Sequence, residues 1–134
     1  MPSIDAIAGM GPAFATKLRK ARVRTTEALL KKGATRADRK RLALASGLTE
    51  QQVLQWVNRA DLMRVKGIGE EYSDLLEAAG VDTVKELKTR KPGALHARLI
   101  EINTQKLLVR RLPTEPMVAG WVASAAKLEA VVTS

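Results

Sequence analysis

Two short glycine turns are the part of this 134-residue chain whose residue types could do chemistry. The first turn reads Gly9-Met10-Gly11 and the second reads Gly67-Ile68-Gly69. Glycine lets a chain reverse at backbone angles that other residues avoid, and the first amides of a following helix have no intrahelical acceptor. Such amides are suited to holding a phosphate group. The chemistry that these turns predict is therefore anion binding.

Basic residues are concentrated after the first turn. Residues 1–61 hold 12 basic and 5 acidic residues, a net charge of +7, whereas residues 62–134 hold 11 and 9, a net charge of +2. The excess over the whole chain favours a polyanion such as nucleic acid or an acidic membrane surface, although a solvated helix face has the same composition. The candidate nucleic-acid-binding residues here are Gly9, Met10, Gly11, Thr16, Lys17, Lys20, Arg22 and Arg24.

Acidic residues follow the second turn. Glu70 and Glu71 come directly after Gly69, and although they complement the helix dipole they repel a phosphate. Two cations just before the turn offset this repulsion in part. The candidate phosphate contacts of the second turn are Arg64, Lys66, Gly67 and Gly69. We expect this turn to serve mainly packing, or contact with a protein partner.

The remaining residues do not suggest catalysis. The chain has no cysteine and a single histidine, His96, which excludes thiolate sites and histidine-cluster metal sites. No Ser-His-acid arrangement, P-loop or paired-carboxylate spacing is present. Trp56 and Trp121 have apolar neighbours at helical spacing, which predicts core positions. We expect no enzyme, no catalytic residue, no metal, no cofactor and no small-molecule substrate.

The sequence also suggests where the protein works. Its first residues lack the basic and apolar segments of a signal peptide, and no window approaches 18 uninterrupted apolar residues, so a membrane span is not expected. The expected location is the cytoplasm, with association with the nucleoid if DNA is the partner.

An internal repeat places the two turns at equivalent positions. Residues 7–18 align with residues 65–76 at an offset of 58, and residues 49–57 match residues 114–122 at an offset of 65. The larger offset predicts extra helical turns or a longer loop around residues 103–113. Further matches at these offsets are Val23/Val81, Thr25/Thr83, Leu29/Leu87 and Ala60/Ala125. Because the patches match in the same order, the sequence predicts two tandem repeats, 1–61 and 62–134, packed as one compact body.

Each repeat is expected to form four or five short helices. Ala, Leu, Lys, Arg and Glu dominate the composition, and these are strong helix formers. The expected helices of the first repeat are 3–8, 12–21, 25–32, 36–46 and 50–63. Those of the second are 59–66, 70–79, 83–89, 92–102 and 115–130. Helices 50–63 and 59–66 overlap because residues 58–64 are expected to run on from the last helix of the first repeat into the first helix of the second. Capping boxes are expected at residues 49–52 and 83–86. The predicted fold class is all-α.

The residues around both turns resemble a known motif. The first turn is flanked by Ile7, Ala15 and Leu18, and the second by Val65, Ser73 and Leu76. This pattern is similar to the helix-hairpin-helix motif of DNA repair and recombination proteins. Residues 56–87, WVNRADLMRVKGIGEEYSDLLEAAGVDTVKEL, resemble a bacterial helix-hairpin-helix family known chiefly as a domain of unknown function. The resemblance covers nearly all of residues 1–128 and implies a SAM-like, tandem helix-hairpin-helix architecture without an established activity.

Two classes of function remain open. The leading hypothesis is a non-enzymatic module that contacts the duplex DNA backbone, independent of base sequence, through the first hairpin and the adjacent basic residues. Duplex is favoured over single strands because aromatic residues make up only 3% of the chain, too few for a stacking platform. The alternative is a protein–protein interaction or scaffold module, with purely structural hairpins and a protein partner on the second repeat.

Overall fold

The computed structural model describes residues 3–7 and 10–133, and this part of the chain is all-helical, without a β-strand. It holds a short 3-10 helix, Ile4–Ala6, and one isolated antiparallel bridge between Ser3 and Thr25. The α-helices are α1 (Gly11–Lys20), α2 (Thr26–Lys32), α3 (Arg36–Ser46), α4 (Glu50–Leu62), α5 (Glu70–Ala78), α6 (Val84–Leu87), α7 (Pro92–Lys106) and α8 (Glu115–Ala126). The predicted all-α fold class is confirmed.

The chain divides into two compact units. The first consists of Met1–Asp61 together with Val131–Ser134, and the second consists of Leu62–Ala130. The first unit therefore holds α1, α2, α3 and nearly all of α4, and the second holds α5 to α8. Each unit has buried apolar residues of its own, and each is described by itself below.

Threonine side chains fix the starts of three helices in the first unit. The amide N–H groups of Ala28, Asp38 and Gln52 donate to the hydroxyl oxygens of Thr25, Thr35 and Thr49 at 3.0, 3.1 and 3.1 Å. At the start of α4 the Gln52 side chain also accepts from the Thr49 N–H, at 3.0 Å. This reciprocal pair is the capping box that the sequence predicts there.

Apolar side chains from the 3-10 helix, α1, α2 and α4 are buried in the first unit. They include Ile4, Ile7, Met10, Ala15, Leu18, Val23, Leu29, Val53 and Trp56. The Trp56 ring packs at a tilted angle against Phe14 of α1, with 5.8 Å between the ring centroids. The predicted core position of Trp56 is thus confirmed, and the aromatic pair joins α4 to α1.

Helix α1 ends with its chain in the left-handed conformation at Arg22, where φ is +67°. The Val23 N–H donates to the Leu18 carbonyl at 2.9 Å, and the Arg22 N–H donates to the Arg19 carbonyl at 2.9 Å. These two bonds form a Schellman motif, which satisfies the last carbonyls of the helix. Leu18 and Val23 are both fully buried, so the turn also closes over the core.

The last residues of the chain lie against the first unit. The Thr133 N–H donates to the Ala34 carbonyl at 2.8 Å. The Arg39 guanidinium donates to the carbonyls of Gly33 and Ala34, both at 3.0 Å, and to that of Thr133 at 2.6 Å. Arg39 is only 4% exposed, and burial lowers its pKa, with a smaller contribution from nearby Arg36. Because it serves these internal carbonyls, Arg39 is a structural cation.

The second unit is built around one cluster of buried apolar residues. It includes Leu62, Val65, Ile68, Leu75, Leu76, Val81, Val84, Leu87, Leu95, Leu99, Ile102, Val109, Val118 and Trp121. Trp121 of α8 packs against Tyr72 of α5, with 5.1 Å between their ring centroids. Thr83 and Thr114 cap α6 and α8 by accepting from the N–H groups three residues later. The core position predicted for Trp121 is confirmed.

Three details differ from the sequence-based expectation. The helix expected over 59–66 is wrong, because α4 ends at Leu62 and residues 63–67 form turns. The ends of the last three helices also differ, since α6 ends at Leu87 rather than at residue 89, α7 at Lys106 rather than at residue 102, and α8 at Ala126 rather than at residue 130. At the second expected capping box, a Glu86 carboxylate oxygen accepts from the Asp82 N–H at 3.4 Å, so the side chain reaches one residue beyond the threonine.

Candidate nucleic-acid interface

The first candidate turn opens directly into α1. Gly9 lies outside the described residues, whereas Met10 is the N-cap residue and its side chain is buried. Gly11 is exposed with a φ of +72°, a conformation that favours glycine. No side chain caps this helix start, and its first turn contains no acidic residue. Pro12 has no N–H group, so the N–H groups of Gly11 and Ala13 are the candidates for holding an anion at this helix start.

Two candidate lysines lie farther along α1. The side chains of Lys17 and Lys20 are exposed, and neither has a hydrogen-bond or ion-pair partner within residues 3–7 and 10–133. At a rise of about 1.5 Å per residue, they lie roughly 9 and 14 Å along the helix axis from Gly11. The Thr16 hydroxyl donates to the Pro12 carbonyl at 2.8 Å, so its proton is already engaged. The lysines thus extend the candidate surface away from the turn.

Arg22 and Arg24 lie beyond the far end of α1. Both are exposed, and neither side chain has a hydrogen-bond or ion-pair partner within residues 3–7 and 10–133. The backbone nearby is anchored, because the Ile4 N–H donates to the Arg24 carbonyl at 3.1 Å. The structure therefore spreads the candidate residues of the first repeat along the whole length of α1.

Several neighbouring cations are engaged within the protein. Arg19 forms an ion pair with Asp5, and Arg41 pairs with Asp38 at 3.0 Å. The Lys32 ammonium lies 3.5 Å from two carbonyl oxygens at the end of α1, where a cation also complements the helix dipole. With Arg39 buried, the basic run of residues 17–41 separates into structural and unengaged cations. The sequence could not make this distinction.

The second candidate turn is more constrained. The Arg64 guanidinium donates to the Glu129 carbonyl at 2.7 Å, whereas Lys66 is exposed. Gly67 has a φ of +93°, and a Cβ atom there would lie 3.2 Å from Nε1 of Trp121. Gly69 is the N-cap of α5 and provides no side-chain cap, and Glu70 and Glu71 occupy the first turn. These carboxylates make the second turn a poor phosphate site.

Another acidic group of the second unit lies at the start of α6. Burial raises the pKa of Asp82, and the neighbouring carboxylates of Glu86 and Glu77 raise it further, against an opposing effect of Arg90. The contribution of Glu86 and Glu77, although smaller than that of burial, shows that other carboxylates lie close to Asp82. This part of the second unit is therefore unsuited to a polyanion.

A groove in the first unit was not identified from the sequence. It has a volume of about 360 Å³ and is lined by Ala21, Lys31, Lys32, Asp38, Arg41, Leu42 and Ala45. These residues belong to the end of α1, the end of α2 and one face of α3. The basic spacing in residues 31–41 was a signal of surface charge, but periodicity alone does not show that three elements meet.

The structure also bears on metal binding, on the single histidine and on membrane spans. In residues 3–7 and 10–133, no cluster of three or more His, Asp or Glu side chains could hold a metal ion. The His96 ring donates from Nε2 to the Pro113 carbonyl at 3.0 Å, which ties α7 to the segment before α8. None of the helices in this part of the chain is long and apolar enough to cross a membrane.

Comparison with known proteins identifies one family. A family model described as a domain of unknown function (DUF4332) matches residues 8–128. No curated protein and no solved structure matches the chain significantly. The geometry and charge of the residues described above are therefore the basis for assigning a function.

Proposed function

We propose that this chain, which belongs to the DUF4332 family, is a non-enzymatic module that binds the backbone of duplex DNA independently of base sequence. The contact surface consists of the start of α1 and the cations Lys17, Lys20, Arg22 and Arg24. In this proposal the protein acts in the cytoplasm, at the nucleoid. The fold positions the surface and the phosphates supply the opposite charge.

The observation that carries the proposal is the division of the cations of the first unit. Arg19, Lys32 and Arg39 each bind an internal carboxylate or carbonyl group. The four proposed contacts are exposed and have no such partner among the described residues. Cations without an internal role favour an external anion, and the start of α1 adds a helix N-terminus without an acidic residue.

The backbone at Arg22 adds support. The backbone at this position is left-handed, and the steric cost of a Cβ atom there is about 1–2 kcal/mol. Asparagine and aspartate tolerate this conformation better than arginine does. Gly80 occupies the corresponding place at the end of α5, with a φ of +87°. The fold itself would favour glycine at both places. An exposed arginine at a position that favours glycine is better explained by an external contact than by folding.

We also propose that the two units are copies of one helix-hairpin-helix-containing unit. Equivalent backbone bonds support this, since Ile7 N–H to Ile4 O is matched by Val65 N–H to Leu62 O. The pairs Phe14–Trp56 and Tyr72–Trp121 also occupy corresponding places. In this proposal the copies differ in function, because acidic residues occupy the first turn of α5 and none occupies the first turn of α1.

The proposal is tested by fluorescence polarisation with a random-sequence duplex over a series of salt concentrations. Four neutralised phosphates predict that log K falls with log salt at a slope of about −4. The variant Lys17→Glu/Lys20→Glu/Arg22→Glu should abolish most binding and flatten this slope. Its matched control is Lys85→Glu/Lys106→Glu/Lys127→Glu, which makes the same charge change at exposed lysines of the second unit.

The control variant should retain most of the affinity. Equal losses in both variants would show that net charge alone attracts the DNA and would overturn the assignment of the surface. Absence of binding by the unmodified protein at low salt would overturn the function itself and would favour the scaffold alternative.

A further inference from the structure

We propose that the groove between α2 and α3 binds an acidic amphipathic segment of a partner protein. This groove is the one lined by Lys31, Lys32, Asp38, Arg41 and three apolar residues. The inference goes beyond DNA binding, because it concerns other residues, another partner class and a surface with an apolar component.

The groove is lined by both apolar and basic side chains. Ala21, Leu42 and Ala45 supply the apolar part of the lining, and Lys31, Lys32 and Arg41 supply the positive charge. Arg41 is paired with Asp38 at 3.0 Å, whereas the backbone carbonyls near the Lys32 ammonium are neutral and leave its charge uncompensated. The lining therefore keeps an excess of positive charge, which complements carboxylates on an incoming chain.

An exposed leucine of α3 lies beside a basic residue of the groove. Leu44 is 84% exposed, the largest exposure among the large hydrophobic side chains of the described residues. It lies one helical turn after Arg41, so the two side chains are neighbours on the helix surface. Because Leu44 is hardly buried, it adds little to the core, and its apolar area is available to a partner.

A protein segment fits this surface better than a phosphate backbone does. Phosphates would contact the cations but would gain nothing from Leu44 or from the apolar residues of the lining. A segment in which Glu or Asp side chains alternate with leucine at helical spacing meets both requirements, because it presents carboxylates to the cations and apolar side chains to the apolar residues.

The probe is a short fluorescein-labelled peptide, rich in glutamate, with leucine recurring at every third or fourth position. One control peptide replaces each leucine with serine, and another replaces each glutamate with glutamine. We expect the first peptide to bind with a dissociation constant on the order of 10–100 µM. Both control peptides should bind about tenfold more weakly, since each lacks one of the two interactions.

Two variants of the full chain locate the binding site. Leu44→Ser should weaken binding of the peptide about tenfold without unfolding the protein, because the side chain is exposed. Lys31→Glu/Arg41→Glu should weaken it at least as much. The matched control Lys17→Glu/Lys20→Glu changes the same charge outside the groove and should leave peptide binding nearly unchanged.

Three outcomes would overturn the inference. The first is that the serine peptide binds as tightly as the leucine peptide. The second is that Leu44→Ser has no effect on peptide binding. The third is that no peptide binds and that Lys31→Glu/Arg41→Glu abolishes binding of duplex DNA. The last result would assign the groove to nucleic acid. Loss of DNA binding in the α1 variants with peptide binding intact would leave the inference standing, so the two proposals fail separately.

Discussion

Arg22 shows how one residue can separate the requirements of folding from those of binding. Its left-handed backbone closes the Schellman motif at the end of α1, while its side chain remains exposed. Glycine serves the same backbone role at Gly80. We therefore expect the arginine side chain to be dispensable for the turn and to act in the proposed contact with DNA.

The variant Arg22→Gly should consequently keep or raise stability while weakening DNA binding. Relief of about 1–2 kcal/mol of backbone strain outweighs the roughly 0.5–1 kcal/mol that glycine loses in chain entropy. Calorimetry should show a melting temperature that is unchanged or about 2 °C higher. Polarisation should show weaker duplex binding and a salt slope smaller by about 1.

The matched control is Gly80→Arg, which places the same residue in the corresponding turn of the second unit. It should lower stability by about 1 kcal/mol, because arginine replaces glycine at a φ of +87°. A fall in stability on Arg22→Gly, or duplex binding equal to that of the unmodified protein, would contradict the explanation given for the strain.

Residue chemistry was predictable wherever the governing interaction is local. The Thr49–Gln52 capping box follows from four adjacent residues, and the structure contains it. The engagement of Arg39 could not be predicted, because its acceptor at Thr133 lies 94 positions away in the sequence. The same holds for Arg64, whose carbonyl acceptor is on Glu129. Sequence spacing locates the cations but not the carbonyl groups that they bind.

At the scale of elements, helix starts were predicted better than helix ends. Threonine caps fix the starts of α2, α3, α4, α6 and α8 through bonds over three residues. The end of α4 at Leu62 has no glycine or proline to signal it, and the chain turns there because Val65 and Ile68 must enter the core of the second unit. Tertiary packing thus overrides local propensity at that position.

Gly33 tests the packing of one element against another. It ends α2, and a Cβ atom there would lie 2.3 Å from Cγ2 of Val57 and 3.1 Å from the Leu29 carbonyl. Gly33→Ala should therefore push α2 away from α4 and lower the free energy of unfolding by about 1–3 kcal/mol. Chemical denaturation monitored by circular dichroism measures this loss.

The control for that variant is Gly120→Ala. Gly120 lies within α8, and a Cβ atom there would meet no atom within 4 Å. Alanine should raise stability by about 0.5–1 kcal/mol, because it is the better helix former. Opposite signs for the two substitutions would identify the close α2–α4 contact as the cause. A stable Gly33→Ala variant would show that α2 is free to shift.

At the scale of the whole molecule, charge and function are unevenly divided. The sequence correctly located most of the positive charge in residues 1–61, which carry +7, against +2 in residues 62–134. It did not indicate that residues 131–134 belong with the first unit. No local pattern marks this return of the chain, since its main bonds use backbone groups, which every residue has.

Removal of Val131–Ser134 should accordingly destabilise the first unit. Arg39 would lose one acceptor of a buried charged group, at a cost of about 1–3 kcal/mol. Hydrogen exchange measured by mass spectrometry should become faster in residues 33–43 and stay the same in residues 84–126. Thr133→Ala is the matched control, because it keeps both backbone groups that bind Ala34 and Arg39 and removes only a hydroxyl 3.4 Å from its acceptor. Faster exchange confined to the second unit would contradict this role of the chain end, since the bonds that it makes lie on α3 and the turn before it.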